Sequence, residues 1–262
     1  LVVEGKGDRP MRITARVTGL LAVLILIPGA AFAQASIVGL VKDASGAVLP
    51  GVTVEAASPV LIESCYAFRN GVDIWHSGSV DGNGNGFKLG GNYVSTPHVV
   101  RNCVAFDNAG NGGKGFDENN NTGGQTIYNC TSFRNKGNNY SFRNVVDSGQ
   151  THLFKNCISY SGGVSISSGI QQKNSWLGFV VTDADFVSLD TTGVAAPRMQ
   201  DGSLQPGIFL RLSTRSSMID AGVDVGLPYN GKAPDLGAFE TGTVTLVHTR
   251  EGTTLDFALD QN

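Results

Sequence analysis

The chain has 262 residues, among them 35 glycines, with 16% charged residues and a net charge of −3 at pH 7. So much glycine disfavours a helical protein, and 41% hydrophobic residues exclude a disordered chain. The small negative charge offers no general attraction for a polyanion, so nucleic acid is not an expected partner. An all-β protein with many turns is the expected class.

The first 33 residues are expected to precede the folded protein. Residues 11–33 combine two arginines with an apolar run that is interrupted at Pro28 and followed by small residues. This pattern is typical of a secretory signal peptide, whereas a membrane anchor needs about 20 apolar residues. Since Met11 is a natural start, residues 1–10 are interpreted as an extension of the reading frame. The mature protein is expected to be secreted or periplasmic, without a membrane anchor, and monomeric.

Four segments in the middle of the chain repeat one pattern, in which an aromatic residue follows a cysteine by three positions. The pairs are Cys65 and Phe68, Cys103 and Phe106, Cys130 and Phe133, and Cys157 and Tyr160. The last two steps between cysteines are 27 residues each and the first is 38, so residues 73–82 are interpreted as an inserted loop. Short strands at this period, without an amphipathic helix, predict a parallel β-helix whose coils stack in register.

Stacked coils bring equivalent residues about 4.8 Å apart, so like residues should form ladders. We expect the repeated aromatic residues to stack inside the solenoid. A set of asparagines, Asn102, Asn129 and Asn156, is expected to bond along a bend. Four cysteines in an exported chain would ordinarily suggest two disulfides. Because parallel side chains on neighbouring coils hold their Cβ atoms too far apart for that bond, four buried thiols are favoured instead.

A second repeated position lies between the cysteine segments. It is held by the tetrapeptides NGFK (85–88), KGFD (114–117) and YSFR (140–143), aligned on their phenylalanines. This alignment predicts that Lys88, Asp117 and Arg143 form one column on successive coils. The column fits a substrate groove in which Arg143 binds a carboxylate, and it fits a surface charge ladder equally well.

The strings around this column carry a family resemblance. They are NGFKLGGNYVSTPHVVRNCVAFDN (85–108), KGFDENNNTGGQTIYNCTSFRN (114–135) and APDLGAFE (233–240). Over residues 64–240 the chain resembles polysaccharide lyase family 9, secreted pectate lyases with a right-handed parallel β-helix. The resemblance implies Ca²⁺-assisted β-elimination of polygalacturonate, with pectate or another acidic polysaccharide as the partner. It also implies that the lysine of NGFKLGG, Lys88, is the catalytic base, although spacing alone would favour an ordinary outward lysine.

The family chemistry sets two requirements. A pectate lyase removes the proton at C5 of a galacturonate and expels the 4-linked sugar, so it needs a base and a cation that neutralises the adjacent carboxylate. Family members carry an aspartate cluster for Ca²⁺ on coils that precede NGFKLGG, and no such string precedes Lys88 here. The weak candidates for a cation site are Asp73, Asp81 and Asp107. We therefore expect an incomplete calcium site and weak or absent lyase activity, with a non-catalytic β-helix that binds acidic glycans as the alternative.

The segments that flank the β-helix have separate interpretations. Residues 34–63 resemble the start of the carboxypeptidase-regulatory-like domain of TonB-dependent receptors, which makes the chain look like a junction of two genes. A receptor function is disfavoured, because the sequence has no barrel strands or aromatic girdles. Residues 241–262 are either an additional strand or disordered.

Overall fold

The computed structural model describes residues 35–36, 59–73, 76, 78, 82–197, 207–242, 246–250 and 253–257. The chain separates into two compact units, residues 1–34 and 35–262. The first unit, with the predicted signal peptide and frame extension, lies outside the described residues. None of the described residues forms a helix with the length and hydrophobicity of a membrane span.

Within the described residues the elements are short strands and one 3₁₀ turn at Asp183–Asp185. The strands are β1 (Ala35–Ser36), β2 (Val60–Glu63), β3 (Tyr66–Phe68), β4 (Phe87–Lys88), β5 (Val99–Arg101), β6 (Val104–Phe106), β7 (Phe116–Asp117), β8 (Thr126–Tyr128), β9 (Thr131–Phe133), β10 (Tyr140–Phe142), β11 (Leu153–Lys155), β12 (Ile158–Tyr160), β13 (Val164–Ile166), β14 (Ile170–Gln172), β15 (Leu246–Arg250) and β16 (Thr253–Phe257).

Three parallel sheets run along the molecule. Sheet 1 has the order β1-β2-β5-β8-β11-β14, sheet 2 has β3-β6-β9-β12, and sheet 3 has β4-β7-β10-β13. Each complete coil contributes one strand to each sheet, as β5, β6 and β7 do. This arrangement is a right-handed parallel β-helix, so the predicted all-β solenoid is confirmed. In the C-terminal tail, β15 and β16 pair antiparallel, which gives two strands where one or none was expected.

Asparagines make the corners between the sheets. Asn102, Asn129 and Asn156 have φ angles of 53°, 47° and 57°, in the left-handed region that asparagine tolerates better than most residues. Asn156 Nδ2 donates to Asn129 Oδ1 at 2.9 Å, which confirms that part of the predicted ladder. A second, buried ladder was not predicted. In this ladder the Nδ2 of each asparagine donates to the Oδ1 of the next asparagine at 2.8 Å, from Asn70 to Asn108, from Asn108 to Asn135 and from Asn135 to Asn139.

The aromatic ladder is confirmed in register but lies on the other face of its sheet. Phe68, Phe106, Phe133 and Tyr160 are successive partners in sheet 2. The rings of Phe68 and Phe106 stack with centroids 4.9 Å apart. The prediction that this ladder lies inside the solenoid is wrong, because in β6 the small residue Ala105 faces the interior. The outward aromatic residues pack instead against apolar residues of segments between residues 179 and 239, including Phe186, Phe209 and Met218.

The four cysteines are free, as predicted, and lie on successive coils. The backbone carbonyl of a cysteine accepts the N–H of the residue that follows the cysteine on the next coil. These bonds join Val104 N–H to Cys65, Thr131 N–H to Cys103 and Ile158 N–H to Cys130. Cys103, Cys130 and Cys157 are completely buried and belong to the interior cluster. They therefore act as small core residues.

The N-terminal segment meets the first coil through two residues. Ala35 and Ser36 pair parallel with Val60 and Leu61 and so add a short strand to sheet 1 beside the first coil. Residues 37–58 lie outside the described residues, and the receptor-domain interpretation of 34–63 stays a prediction.

Candidate active site

Sheet 3 carries the predicted catalytic lysine. Its inner face is a row formed by Phe87, Phe116, Tyr140 and Val164 in register. Phe87 stacks on Phe116 with centroids 4.8 Å apart and planes 5° from parallel. Because side chains alternate along a strand, burying Phe87 directs Lys88 outward. The outward row consists of Lys88, Asp117, Ser141 and Ser165.

The predicted Lys88–Asp117–Arg143 column is wrong at its third member. Phe116 pairs with Tyr140 rather than with Phe142, so Ser141 occupies the place beside Asp117. Tyr140 and Phe142 are two residues apart and both completely buried, so either could have been aligned with Phe116 from the sequence. Arg143 follows the end of β10, is exposed, and donates its backbone N–H to Glu118 Oε1 at 3.0 Å. Its role in substrate binding stays a prediction.

The Lys88 amine projects outward from a fixed backbone. Its side chain is half-buried, and Nζ makes no hydrogen bond or ion pair in the described part of the chain. The loop that follows is fixed by Asn121, whose Nδ2 donates to the Leu89 carbonyl at 2.7 Å. Gly90 has φ +140°, and a Cβ there would lie 2.5 Å from Asn121 Cβ. The glycine after Leu89 in NGFKLGG is therefore required by a close approach between coils.

Asp117 is buried beside Lys88 but bonded to other groups. Its Oδ1 accepts from Lys114 Nζ at 2.9 Å, and its Oδ2 accepts from Asn85 Nδ2 at 2.6 Å. The side chain of Asp117 is only 4% exposed. Prediction from the sequence missed Asn85 and Lys114 as parts of this site, although NGFK and KGFD place them at the same position of successive repeats. Asp117 therefore presents no free carboxylate to a substrate.

Two of the three acidic residues proposed for a cation site are described, and each is bonded to a different group. Asp107 forms a two-point ion pair with Arg134, with distances of 2.6 and 3.0 Å, and Asp73 Oδ2 accepts the Gly78 N–H at 2.8 Å. Asp81 lies outside the described residues. Among the residues that are described, no three His, Cys, Asp or Glu side chains form a group able to hold a metal ion. The described residues therefore do not fit a calcium site.

Comparison with known proteins agrees with the β-helix fold. Residues 52–152 match the family model described as the Pel9A-like, right handed beta helix region. The crystal structure of pectate lyase Pel9A has a TM-score of 0.68 and 44% identity to this chain, covering 72% of this chain and 47% of that one. The chain resembles polysaccharide lyase family 9.

The curated relatives that match are pectate lyases. Pectate lyase L of Dickeya chrysanthemi is 47% identical over 188 residues, which are 71% of this chain and 43% of that protein. Pectate lyase L of Paenibacillus polymyxa is 36% identical over 179 residues, which are 64% of this chain and 37% of that protein. The chain thus spans less than half the length of these relatives.

Proposed function

We propose that the β-helix performs pectate lyase-type β-elimination on polygalacturonate, with the Lys88 amine as the base. The C5–H bond of a galacturonate breaks and its proton passes to Nζ, while the electron pair forms the C4=C5 double bond. The C4–O bond breaks, and the released sugar oxygen takes a proton from solvent. The observation that supports this role is that Nζ projects from sheet 3 and forms no ion pair with any described residue, since a paired carboxylate would favour the protonated amine.

The charge around Lys88 suits an acidic polysaccharide. Lys88 lies on the outer face of sheet 3, and exposed Arg143 follows the third strand of that sheet. Asp117, the acid between them, is covered by its bonds to Asn85 and Lys114. A uronate chain laid across these coils would meet cations rather than free carboxylates, and a guanidinium can bind a carboxylate through two hydrogen bonds. We infer that Arg143 contributes to binding rather than to proton transfer.

We further propose that turnover by residues 34–262 is weak, even with calcium present. The family resemblance implies Ca²⁺, but Asp107 is bound to Arg134 and the described residues offer no metal cluster. The same observation favours the second candidate, a non-catalytic module that binds acidic glycans. Secretion through the segment 11–33 is part of this proposal, because polygalacturonate is an extracellular polymer.

Absorbance of the unsaturated product, measured on polygalacturonate at alkaline pH with and without Ca²⁺, tests the proposal. We expect low activity that Lys88→Ala abolishes with little change in thermal stability, since Lys88 is only half-buried and its amine has no bonded partner in the described part of the chain. Lys88→Arg should also fail, because a guanidinium stays protonated. Strong Ca²⁺-dependent activity would contradict the proposed weak turnover. Activity that survives Lys88→Ala would contradict the role of Lys88.

Affinity electrophoresis in gels that contain polygalacturonate separates the two candidates. Retardation without turnover would support the binding module, and Arg143→Gln should then reduce the retardation. Neutral dextran is the control polymer. A protein that neither cleaves polygalacturonate nor is retarded by it would contradict both candidates.

A further inference from the structure

We propose that Lys114 is a positioning residue for Lys88: it binds the Asp117 carboxylate and so prevents that carboxylate from pairing with the Lys88 amine. Asn85 assists from the other carboxylate oxygen. The inference rests on the proposed function, because it concerns the amine assigned there as the base. It assigns a role to the second lysine of the repeated motif, which the elimination step itself does not use.

The starting point is that Lys88 and Asp117 are direct register partners in β4 and β7. Neighbouring strands lie about 4.8 Å apart, so these outward side chains are within reach of each other. A lysine and an aspartate in such a position would ordinarily form an ion pair. They do not, because Asp117 Oδ1 binds Lys114 Nζ at 2.9 Å and Oδ2 binds Asn85 Nδ2 at 2.6 Å.

The competing partners are themselves fixed by the repeat. Lys114 lies three residues before Asp117 on the same coil, and its own backbone N–H donates to Asn85 Oδ1 at 3.1 Å. The Asn85 side-chain amide therefore bridges the backbone N–H of Lys114 and the carboxylate of Asp117. The Lys114 carbonyl accepts the Gly86 N–H at 2.8 Å, which joins the two coils beside the same network. Lys114 and Asn85 are thus held close to Asp117, whereas Lys88 Nζ is left without a partner in the described part of the chain.

The electrostatic consequence follows from charge balance. An uncompensated carboxylate next to an ammonium raises the pKa of the ammonium, typically by about 1 to 3 units. With Lys114 bound, the Lys114–Asp117 pair has no net charge. Two charged residues directly follow strands of sheet 3: Glu118 after β7, whose Oε1 accepts the backbone N–H of Arg143 at 3.0 Å, and Arg143 after β10, whose side chain is exposed. Lys88 contacts neither.

Competitive acetylation over a range of pH, quantified by mass spectrometry at Lys88, measures the pKa of this one amine. In Lys114→Met we expect the pKa of Lys88 to rise by about one unit or more relative to the parent protein. Lys136→Met is the matched control, since Lys136 is exposed on the next coil and its side chain has no bonded partner in the described part of the chain. It removes the same charge and should shift the pKa of Lys88 little.

The double variant Lys114→Met with Asp117→Asn removes both charges, so the pKa of Lys88 should return close to the parent value. Lys114→Arg preserves the ion pair and should also leave the pKa near the parent value, which keeps the test valid if the methionine variant unfolds. An unchanged pKa in Lys114→Met, an equal shift in Lys136→Met, or no return in the double variant would each overturn the inference. The labelling does not depend on turnover, so an inactive protein with the expected shifts would contradict the proposed function alone.

Discussion

Replacing His152 with glutamine tests how the solenoid responds to acid. His152 is completely buried, and its Nδ1 accepts the backbone N–H of Gln125 at 3.0 Å. The ring proton therefore belongs on Nε2, which has no bonded partner among the described residues. Burial lowers the pKa of His152 from 6.5 to about 4. A second proton would place a donor against a donor in the interior.

The size of the effect follows from this shift. Between pH 6.5 and pH 4 the unfolded chain binds a proton that the folded chain does not, so the free energy of unfolding falls as the pH falls. Since each pKa unit corresponds to about 1.4 kcal/mol, the loss across the whole window is about 3 kcal/mol. His98 adds a loss in the same direction, because its pKa is also lowered by burial and its Nδ1 accepts the Val60 N–H.

Glutamine is a suitable replacement because the repeat already contains one at this position. One coil earlier, Gln125 Oε1 accepts the His98 N–H at 3.2 Å, just as His152 Nδ1 accepts the Gln125 N–H. We expect His152→Gln to be nearly as stable as the parent protein at pH 7.5. Urea unfolding at pH 7.5 and pH 4.5 should show a smaller acid loss in the variant, by about 2 to 3 kcal/mol. His76→Gln, at an exposed histidine, is the control. An acid loss equal to that of the parent would refute the reasoning.

Three further predictions concern stability and thiol chemistry. Burial raises the pKa of Glu240 to about 7, so the folded chain should lose stability as the pH rises from about 4.5 through 7. Urea unfolding of Glu240→Gln should lack this loss. An equal loss of stability with pH in the parent protein and the variant would contradict the prediction. Phe106→Ala should lower the free energy of unfolding by about 3 to 5 kcal/mol, because Phe106 is completely buried and stacks on Phe68. Val145→Ala, at an exposed residue, is the control. A loss below about 1 kcal/mol would contradict a stabilising role of the aromatic ladder. Ellman's reagent should react with the native protein slowly and first at half-buried Cys65, and with four thiols after unfolding; fewer than four would indicate a disulfide.

The solenoid could be predicted because its signal is repeated. Cysteines at steps of 27 residues fix the coil length, and aromatic residues three positions later fix the register of sheet 2. The face of that sheet could not be predicted from the repeat. Val104, Ala105 and Phe106 are all completely buried, so alternation of polar and apolar residues is lost where the C-terminal segments cover the outer face.

The alignment of the strands that carry the candidate site could be predicted only in part, because it depends on which aromatic residues face inward. Lys88 and Asp117 align because Phe87 and Phe116 are the only aromatic residues of their tetrapeptides. In YSFR, Tyr140 and Phe142 are both inward aromatic residues, and only the strand pairing decides between them. The repeat places Asn85 and Lys114 at equivalent positions, but only the stacking of the coils brings both side chains to the Asp117 carboxylate.

In the described part of the chain, the backbone around Lys88 is hydrogen-bonded to the coil that follows it in the chain. Gly86 and Phe87 donate their N–H groups to the carbonyls of Lys114 and Gly115, and Leu89 donates to Asp117, each at 2.8 Å. Phe87 also stacks on the ring of that same coil. Placement of Lys88, the proposed base, therefore depends on residues 114–121, whereas the family resemblance implies cation ligands on coils before the lysine. Because these two requirements lie on different coils, a chain can retain a correctly aimed base without a cation site. That separation is why we expect Lys88 to keep its geometry in a protein with weak turnover.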